Sequence, residues 1–553
     1  MKHRLTLLIG AAAALAACQQ APRSPATLIV YGRVWTGDSA RPRAEGVALQ
    51  GDSILAVGSR SEVRRYRGPE TRVIEAGDGS VLPGFGDSHT HFIDGGFQLM
   101  SVDLRDADSP QEFTRRIAAF ARQLPKGRWI LGGDWDHERW PGAPLPDRAW
   151  IDSVTPDNPV FVSRLDGHMG VANSLALRLA GVTRASRAPA GGEIVRNPAT
   201  GEPTGVLKDN ASDPVWRVVP DRSAEESDSA LAVALRHAAG LGVTSVHVMS
   251  GWGDLATLRR ARARNALTAR IYAFVPLATW QRLADTVRAS GRGDDWLHWG
   301  GLKGFMDGSL GSTTAAFFDP YVDAPQTRGL MVTDSATMRR WILAADSAGL
   351  QVAVHAIGDH ANAMLLDLYG EAERLHGARD RRFRDEHTQH LRQADIPRFG
   401  RLGVIPAMQP YHVIDDARWA WKRLDTTRLR GTYAFRSLLR TGARVAFGSD
   451  WTVAPLSPLQ GLYAAVTRRT LDGSAPDGWF PEEKVPLEEA LRAYTAGVAY
   501  AGFMERRTGI LRPGMLADVV VLGRDLFALP PESLATVPVR VTVAGGRVVF
   551  ERR

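Results

Sequence analysis

The feature that most constrains the fold is a regular alternation of short apolar β runs with amphipathic helical segments from residue 231 onward. Seven β runs in this region read TSVHVM, RIYAFV, GLKGFMDGS, LQVAVHAIGD, RRFRDEHTQ, LGVIPAMQP and GARVAFGSD. An earlier run, LPGFGDSHTH, ends in His89 and His91 and brings the number to eight. Strands that alternate with helices in this number predict an α/β fold, the (β/α)8 or TIM barrel, whose active site lies at the carboxyl ends of the strands.

The other segments predict how the rest of the chain is arranged. Residues 26–80 and 506–553 are rich in short β runs separated by Gly and Asp, and we predict that both chain ends together form one small β-sandwich. Residues 81–505 would hold the barrel. Within them, residues from about 95 to 235 are irregular and rich in aromatics, Gly and Pro, which predicts an insertion after barrel strand 1 that covers one face of the barrel.

The N-terminal segment predicts export. A basic start, KHR, precedes an apolar stretch that is too short to span a bilayer and that ends in LAAC. This ending resembles the lipobox of bacterial lipoproteins, which implies a signal peptide over residues 1–17, a lipid on Cys18 and a linker over residues 18–25. The protein would then be exported and anchored to the membrane of a bacterial cell envelope, on the periplasmic side, and Gln19 favours the outer membrane. The alternative is an ordinary secretory signal in which the cysteine is incidental.

Composition excludes two kinds of site. Cys18 is the only cysteine, so the chain forms no internal disulfide and offers no cysteine for zinc binding or nucleophilic catalysis. The formal net charge is +8, but the arginines are scattered among acidic residues and no basic run is interleaved with aromatics. We therefore expect no nucleic-acid partner.

Polar side chains end several of the predicted barrel strands. His89 and His91 end strand 1, and their imidazoles should project together because alternate residues of a strand point to the same side. His355, His387 and Asp450 end strands 5, 6 and 8. Neutral imidazole and carboxylate ligate zinc and similar divalent ions, and such an ion lowers the pKa of a bound water towards about 7. The strand ends therefore predict a metal centre that makes hydroxide available at neutral pH.

These strand-end residues resemble the ligands of the amidohydrolase superfamily of metal-dependent hydrolases. The longer motifs are similar to those of amidohydrolase family 3, the branch that contains the N-substituted formamide deformylases, and the similarity runs from about residue 27 to the C-terminus. The motifs read LPGFGDSHTHF, RLDGHMGVANSLAL, GLKGFMDGSLGSTTAAFFDPY, VAVHAIGDHA, RDEHTQH, MQPYH, VAFGSDWTVAPLSP and GILRPGMLADVVVL. The last of these corresponds to the family's split β-sandwich, in agreement with the pairing of the chain ends.

The resemblance implies one or two divalent ions per chain, expected to be Zn(2+). Their ligands would be two pairs of histidines, His89 with His91 and His355 with His387. Asp450 would bind metal, act as general base towards the attacking water and then protonate the leaving group. Lys303 lies at the strand-4 position where many members carry a carboxylated lysine that bridges two metals. The alternative is an unmodified Lys303 beside a single metal.

Four further residues are candidates for substrate contact. Arg164 and His168 lie in the insertion, and Arg164 would suit a substrate carboxylate, with a structural salt bridge as the alternative. Asp307 follows strand 4, where it would orient ligands or contact substrate, although Asp-Gly is also a common turn. His412 follows strand 7 and would donate to the substrate carbonyl, with a solvated loop histidine as the alternative.

The leading functional hypothesis is a lipid-anchored hydrolase in which metal-bound hydroxide cleaves a C–N amide-type bond of a small molecule. N-formyl or N-acyl amines, amino-acid amides, dipeptides and cyclic amides all fit, since fold alone does not choose among them. An esterase or lactonase with the same metal site is the alternative, because the same hydroxide attacks either carbonyl. A catalytically inactive lipoprotein that binds a partner at the cell surface is a third hypothesis. The oligomeric state is open, a homodimer included.

Overall fold

The computed structural model describes residues 25–552. The predicted signal peptide and Cys18 lie outside these residues. The described strands form an eight-stranded barrel sheet, a seven-stranded sheet and a six-stranded sheet. In this part of the chain, no helix combines the length and the apolar character needed to cross a membrane.

The elements follow one another in this order. The strands are β1 (Leu28–Trp35), β2 (Arg43–Gln50), β3 (Ser53–Gly58), β4 (Arg72–Pro83), β5 (Phe85–Thr90), β6 (Val102–Asp103), β7 (Gly132–Trp135), β8 (Phe161–Arg164), β9 (Met169–Ala172), β10 (Gly192–Arg196), β11 (Pro203–Asp209), β12 (Val243–Met249), β13 (Arg270–Pro276), β14 (Leu297–Phe305), β15 (Gln351–Ala356), β16 (Arg384–His387), β17 (Ile405–Met408), β18 (Ala446–Phe447), β19 (Val519–Leu522), β20 (Val539–Ala544) and β21 (Arg547–Glu551). The helices are α1 (Arg60–Arg64), α2 (Phe92–Leu99), α3 (Pro110–Ala121), α4 (Ala149–Asp152), α5 (Ser174–Leu179), α6 (Asp213–Trp216), α7 (Ala224–Gly240), α8 (Trp252–Ala263), α9 (Trp280–Ser290), α10 (Ser335–Ser347), α11 (Asp359–His376), α12 (Ile396–Leu402), α13 (Pro410–Asp416), α14 (Ala420–Arg423), α15 (Thr426–Leu429), α16 (Phe435–Arg440), α17 (Pro458–Thr467), α18 (Leu487–Ala493) and α19 (Ala496–Ala501).

The predicted barrel is confirmed. Strand β5 and the strands from β12 to β18 form one parallel sheet in chain order. The ring closes between its first and last strands, where the amide of Asp450 donates to the carbonyl of His89 at 2.8 Å. Strands β15 and β17 are buried along their whole length. Helices cover such strands from outside while side chains fill the barrel from within, so the strands appear in the sequence as continuous apolar runs.

Both chain ends contribute to one seven-stranded sheet, which confirms their predicted pairing. Its order is β21-β20-β19-β4-β1-β2-β3, and the ends meet where β19 runs antiparallel to β4, with Val519 opposite Pro83. The sheet surrounds an apolar core to which both ends contribute, Val30 from the first part and Val541 from the second. The boundary predicted at residue 81 falls inside β4, which runs to Pro83.

The insertion is an ordered unit and not the irregular segment expected from its composition. Between α2 and α7 the chain forms a sheet in the order β10-β11-β9-β8-β7-β6, packed on a core that includes Phe113, Trp135 and Trp140. Strand β6 spans two residues, and β7, β8 and β9 span four each. Such strands are too short to show an alternating pattern. The predicted end at residue 235 lies within α7, which begins at Ala224.

Polar contacts hold the insertion over the carboxyl ends of the barrel strands. Arg105 donates to the carbonyl of Val453, which follows β18, at 2.6 Å. Lys422, in the α14 segment that follows β17, lies 2.7 Å from Glu138 of the insertion. The insertion therefore forms a roof over the end of the barrel where the strand-end residues lie.

Candidate metal centre

A cavity of about 700 Å³ lies between the barrel and the insertion. Its lining includes His91, Lys303, His355, His387, His412 and Asp450. His89 is fully buried behind them, with its ring centroid 4.9 Å from that of His387. The structure thus brings the polar residues from the ends of barrel strands 1, 4, 5, 6, 7 and 8 to one place.

Two histidines of strand β5 and one carboxylate form the first group of donor atoms. The Nε2 atoms of His89 and His91 lie 3.5 and 3.4 Å from Oδ1 of Asp450. This buried carboxylate oxygen has no hydrogen-bond partner in the described part of the chain. Buried polar atoms are nearly always satisfied, so an oxygen left free between two imidazole nitrogens fits a bound cation.

A second group shares the same carboxylate. His387, His412 and Asp450 offer ligand atoms that all lie within 4.8 Å of one another. Nε2 of His412 is buried without a partner among the described residues, whereas Nδ1 of His387 lies 2.9 Å from Oε1 of Gln409. The structure therefore places His412, which the sequence assigned to substrate, among the donor atoms of the centre.

His355 lies beside this group, next to His387, the histidine with which the family resemblance pairs it. Its ring centroid is 4.5 Å from that of His387, and its Nε2 lies 2.9 Å from the carbonyl oxygen of Gly308. Burial lowers the pKa of His355 and His387, and likewise that of His89, well below the ordinary histidine value. The three imidazoles are therefore neutral and carry lone pairs that a divalent ion can accept.

Lys303 is buried among these imidazoles. Its Nζ lies 3.2 Å from Nε2 of His89, and burial lowers the pKa of its ammonium group to about 8. A buried ammonium is disfavoured by desolvation. The lowered pKa enlarges the fraction of neutral amine at a given pH, and the neutral amine is the form that reacts with carbon dioxide to give a carboxylated lysine.

Two of the site residues have an unusual backbone conformation. His387 has φ of 77° and Asp450 has φ of 58°. Residues other than glycine rarely adopt this left-handed region, and such conformations concentrate at functional sites. Each turns the chain sharply at the end of a barrel strand, where the side chain must point into the cavity.

Buried acidic residues that the sequence analysis did not single out hold the ligands in place. Asp87 accepts hydrogen bonds at 3.0 Å from the amides of His89 and Ser449, and so ties the first and last barrel strands together. Glu386 Oε2 contacts Nδ1 of His89 and accepts from Arg384 at 3.1 Å. A carboxylate in this position fixes the orientation of a ligating imidazole. The sequence did contain a signal for Asp87, because it lies two positions before His89 and its side chain should therefore point to the same side of the strand.

Replacement of Glu386 by Gln is expected to weaken divalent-ion binding by about 10- to 100-fold, the usual cost of losing a carboxylate behind a ligating histidine. Competition with a chelator of known affinity measures the change. The control is Glu371→Gln, because Glu371 lies on the outer helix α11 and pairs with Arg339. Equal metal affinity in both variants, with unchanged melting temperature, would contradict the role given to Glu386.

Three of the residues predicted to contact substrate, Arg164, His168 and Asp307, have partners within the protein. Arg164 lines the cavity, but its guanidinium lies 3.1 Å from Asp136 and 2.8 Å from Asp166. It is therefore already paired and holds the roof together. His168 lines the cavity with Nδ1 at 2.7 Å from Asp209, and this partner above all counters burial and raises the pKa of His168 to about 8.

Asp307 is fully buried and does not line the cavity. Its carboxylate accepts hydrogen bonds from the amides of Ala316, Ile357 and Gly358 at 2.8 to 3.0 Å. Three backbone donors leave it little capacity for a substrate. Asp307 therefore orders the loops after strands β14 and β15, and its Oδ1 lies 3.6 Å from Nε2 of His355, where it can help to orient that imidazole.

Comparisons with known proteins agree with this geometry. The sequence profile of the amidohydrolase family matches residues 72–550. Protein LONG AFTER FAR-RED 3 of Arabidopsis thaliana is 39% identical over 95% of this chain and 91% of its own length. N-substituted formamide deformylase of Arthrobacter pascens is 28% identical over 95% of this chain and 98% of its own length.

A solved structure has the same architecture. The crystal structure of an uncharacterized metal-dependent hydrolase from Pyrococcus horikoshii superposes with a TM-score of 0.72, at 26% sequence identity, and covers 91% of this chain and 99% of its own. The clustered imidazoles and carboxylate supply the donor set of a metal-dependent hydrolase. The chain, matched by the family profile over most of its length, belongs to the amidohydrolase family.

Proposed function

We propose that the protein hydrolyses a C–N amide-type bond of a small molecule at this centre. The observation that carries the proposal is the buried, unpartnered oxygen of Asp450, which lies between the imidazoles of His89 and His91 at the edge of the cavity. The similarity to N-substituted formamide deformylase supports an amide as substrate. N-formyl amines, N-acyl amines and amino-acid amides all belong to this class.

The donor atoms define which residues would hold the divalent ion, for which we propose zinc. His89, His91 and Asp450 form one ligand group, and His387, His412 and Asp450 the other, with Lys303 and His355 beside them. A divalent ion bound there supplies a Lewis acid for the carbonyl oxygen and lowers the pKa of water. Carboxylation of Lys303 would add an anionic ligand able to bridge two ions.

The reaction consumes one water and yields a carboxylic acid and an amine. The water oxygen forms a bond to the carbonyl carbon, and the C–N bond breaks. Asp450 accepts a proton from the water at its carboxylate and passes it to the departing nitrogen. His412, with its free Nε2, can instead donate to the carbonyl oxygen where it does not bind metal.

Matched amides and esters test the proposal. The purified protein is assayed with pairs that share the acyl and alkyl groups and differ only in the amide nitrogen or ester oxygen. Hydrolysis of the amides, absent in Asp450→Asn, supports the proposal. Turnover of esters or lactones with no amide hydrolysis above the Asp450→Asn background would overturn it in favour of an esterase, and no turnover of either would favour a binding protein.

We also propose that the chain is exported and tethered to the membrane through a lipid on Cys18. The LAAC sequence supports this assignment. Full-length protein should partition into the detergent phase, and Cys18→Ser should move it to the aqueous phase. Equal partitioning of both would overturn the anchor. We further propose a homodimer. Light scattering, which measures the molar mass in solution, tests this oligomeric state.

A further inference from the structure

The cavity extends from the metal centre into an apolar arm. We define the apolar arm by six lining side chains, Phe97, Met100, Phe120, Trp129, Leu131 and Trp216. They come from α2 and the residue after it, the end of α3, the segment before β7, and α6. The arm is therefore built mostly by the insertion, while the candidate ligands come from the barrel.

Large apolar side chains remain exposed inside this cavity. Met100 is 49% exposed, Trp216 44% and Phe305 38%. Phe305 lies close to the candidate ligands, with its ring centroid 4.8 Å from Nζ of Lys303 and 5.5 Å from the ring of His355. Apolar surface thus begins beside the metal centre as well as in the arm. Exposed apolar surface in a concave site marks a place where an apolar group binds.

The charged side chains at the mouth of the arm pair with one another. The pairs are Asp94 with Arg222 and Arg128 with Glu226, each at 2.5 Å. Deeper in the cavity, Asp134 accepts from Gln98 and lies 3.8 Å from Arg105. Asp221, at the outer edge, is exposed to solvent. An anionic ligand group would meet Asp221 or have to break such a pair, whereas a neutral apolar group would leave the pairs intact.

The roof is equally unsuited to a substrate carboxylate. The guanidinium of Arg164 is 2% exposed and is held by Asp136 and Asp166. Removing a buried cation from two carboxylates is costly. The cation that the sequence assigned to carboxylate recognition is thus already neutralised within the protein.

We propose that the substrate is an uncharged amide with a long aliphatic or aromatic group, and that this group occupies the apolar arm while the amide lies at the metal centre. This inference rests on the proposed function and narrows its substrate class. The arm excludes amides whose long group ends in a carboxylate. It also gives the insertion a role, because the residues that select the substrate lie in a different unit from those that hold the metal.

Two homologous series test the proposal. One keeps an acetyl group and lengthens the N-alkyl chain from ethyl to octyl, and the other keeps N-methyl and lengthens the acyl chain over the same range. In at least one series, kcat/KM should rise by about three- to fourfold per CH2 group, the value expected for transfer of a methylene out of water. The rising series also identifies which side of the C–N bond enters the arm. A flat response in both series would overturn the proposal.

A charged analogue provides a second, independent test. N-octylacetamide is compared with the amide of the same length that ends in a carboxylate. We expect kcat/KM for the carboxylate-terminated compound to be lower by at least about 100-fold, since an ionised group must be desolvated or must displace an existing ion pair. Equal rates for the two compounds would overturn the proposal.

Variants of the lining residues test whether the dependence of kcat/KM on chain length arises in the apolar arm. The double variant Met100→Gln/Trp216→Gln should lower the ratio of octyl to ethyl kcat/KM by about tenfold. The matched control is Leu99→Gln/Trp421→Gln, whose residues are 46% and 62% exposed and lie outside the cavity lining. The control should keep the wild-type ratio. Equal ratios in the two double variants, with unchanged melting temperatures, would overturn the assignment of the arm.

Calorimetric binding to Asp450→Asn separates this inference from the proposed function. If the series bind with rising affinity but wild-type protein hydrolyses none of them, the apolar arm is upheld and the amide-hydrolase function fails. If wild-type protein hydrolyses the short amides and chain length affects neither rate nor affinity, the function is upheld and the arm fails.

Discussion

The Asp450→Asn variant is expected to lower kcat/KM for the best amide substrate by about 10³-fold or more. The substitution removes the carboxylate for which we propose metal binding and proton transfer, and general acid–base catalysis alone contributes typically 10²- to 10⁴-fold. Asn is nearly isosteric with Asp and is among the residues that best tolerate the left-handed φ of 58° at this position. The fold should therefore be retained, and the lower kcat/KM should reflect a slower chemical step and not unfolding.

The matched control is Asp415→Asn. Asp415 lines the same cavity but pairs with Arg418 and belongs to neither donor group. We expect it to retain activity within about tenfold of wild type. Steady-state kinetics together with melting temperatures measure both variants. An Asp450→Asn protein with more than about a tenth of wild-type kcat/KM would remove Asp450 from the mechanism.

The second large effect is expected for Lys303→Ala. Loss of a carboxylate behind a ligand already costs about 10- to 100-fold, so loss of a bridging ligand should cost at least about 100-fold in kcat/KM. The metal content of the Lys303→Ala variant should fall as well. The control is Lys208→Ala, because Lys208 is a buried lysine of the insertion that pairs with Glu193 at 2.9 Å.

Carbon-13 labelling tests the modification itself. Wild-type protein in labelled bicarbonate should show a carbamate carbon signal that is absent from Lys303→Ala and retained in Lys208→Ala. If Lys303→Ala keeps its metal and its activity, Lys303 is not a ligand. If the wild-type protein shows no carbamate signal but the Lys303→Ala variant has lost its metal, Lys303 contributes to metal binding as an unmodified lysine.

The barrel and the paired chain ends could be predicted from sequence because both depend on local patterns. A strand such as β15 is buried throughout, so its apolar run and the histidine at its end are visible in the sequence. The insertion could not be predicted in this way. Four of its six strands have only two to four residues. They are stabilised by packing between residues from different segments, such as Phe113 of α3 and Trp135 of β7.

The site was predictable in its location but less so in its details. Strand ends identify which side chains reach the cavity, whereas the nitrogen that each imidazole presents depends on its neighbours in space. His355 faces the carbonyl of Gly308, and His412 instead completes the group with His387 and Asp450. Arg164 likewise looked available in the sequence, because only Asp166 of its two partners lies nearby, whereas Asp136 lies 28 positions away. Tertiary packing determines which partner each of these side chains contacts, and local sequence patterns do not reveal those partners.

Metal content, measured together with activity, tests whether the strand-end residues hold a catalytic metal ion. The purified protein is analysed for divalent metals per chain, stripped with a chelator, and titrated with zinc while amide hydrolysis is followed. We expect one or two ions per chain, loss of activity on stripping, and recovery in proportion to the zinc bound. A protein that binds no divalent ion when zinc is added, or that hydrolyses amides equally well without metal, would contradict this expectation.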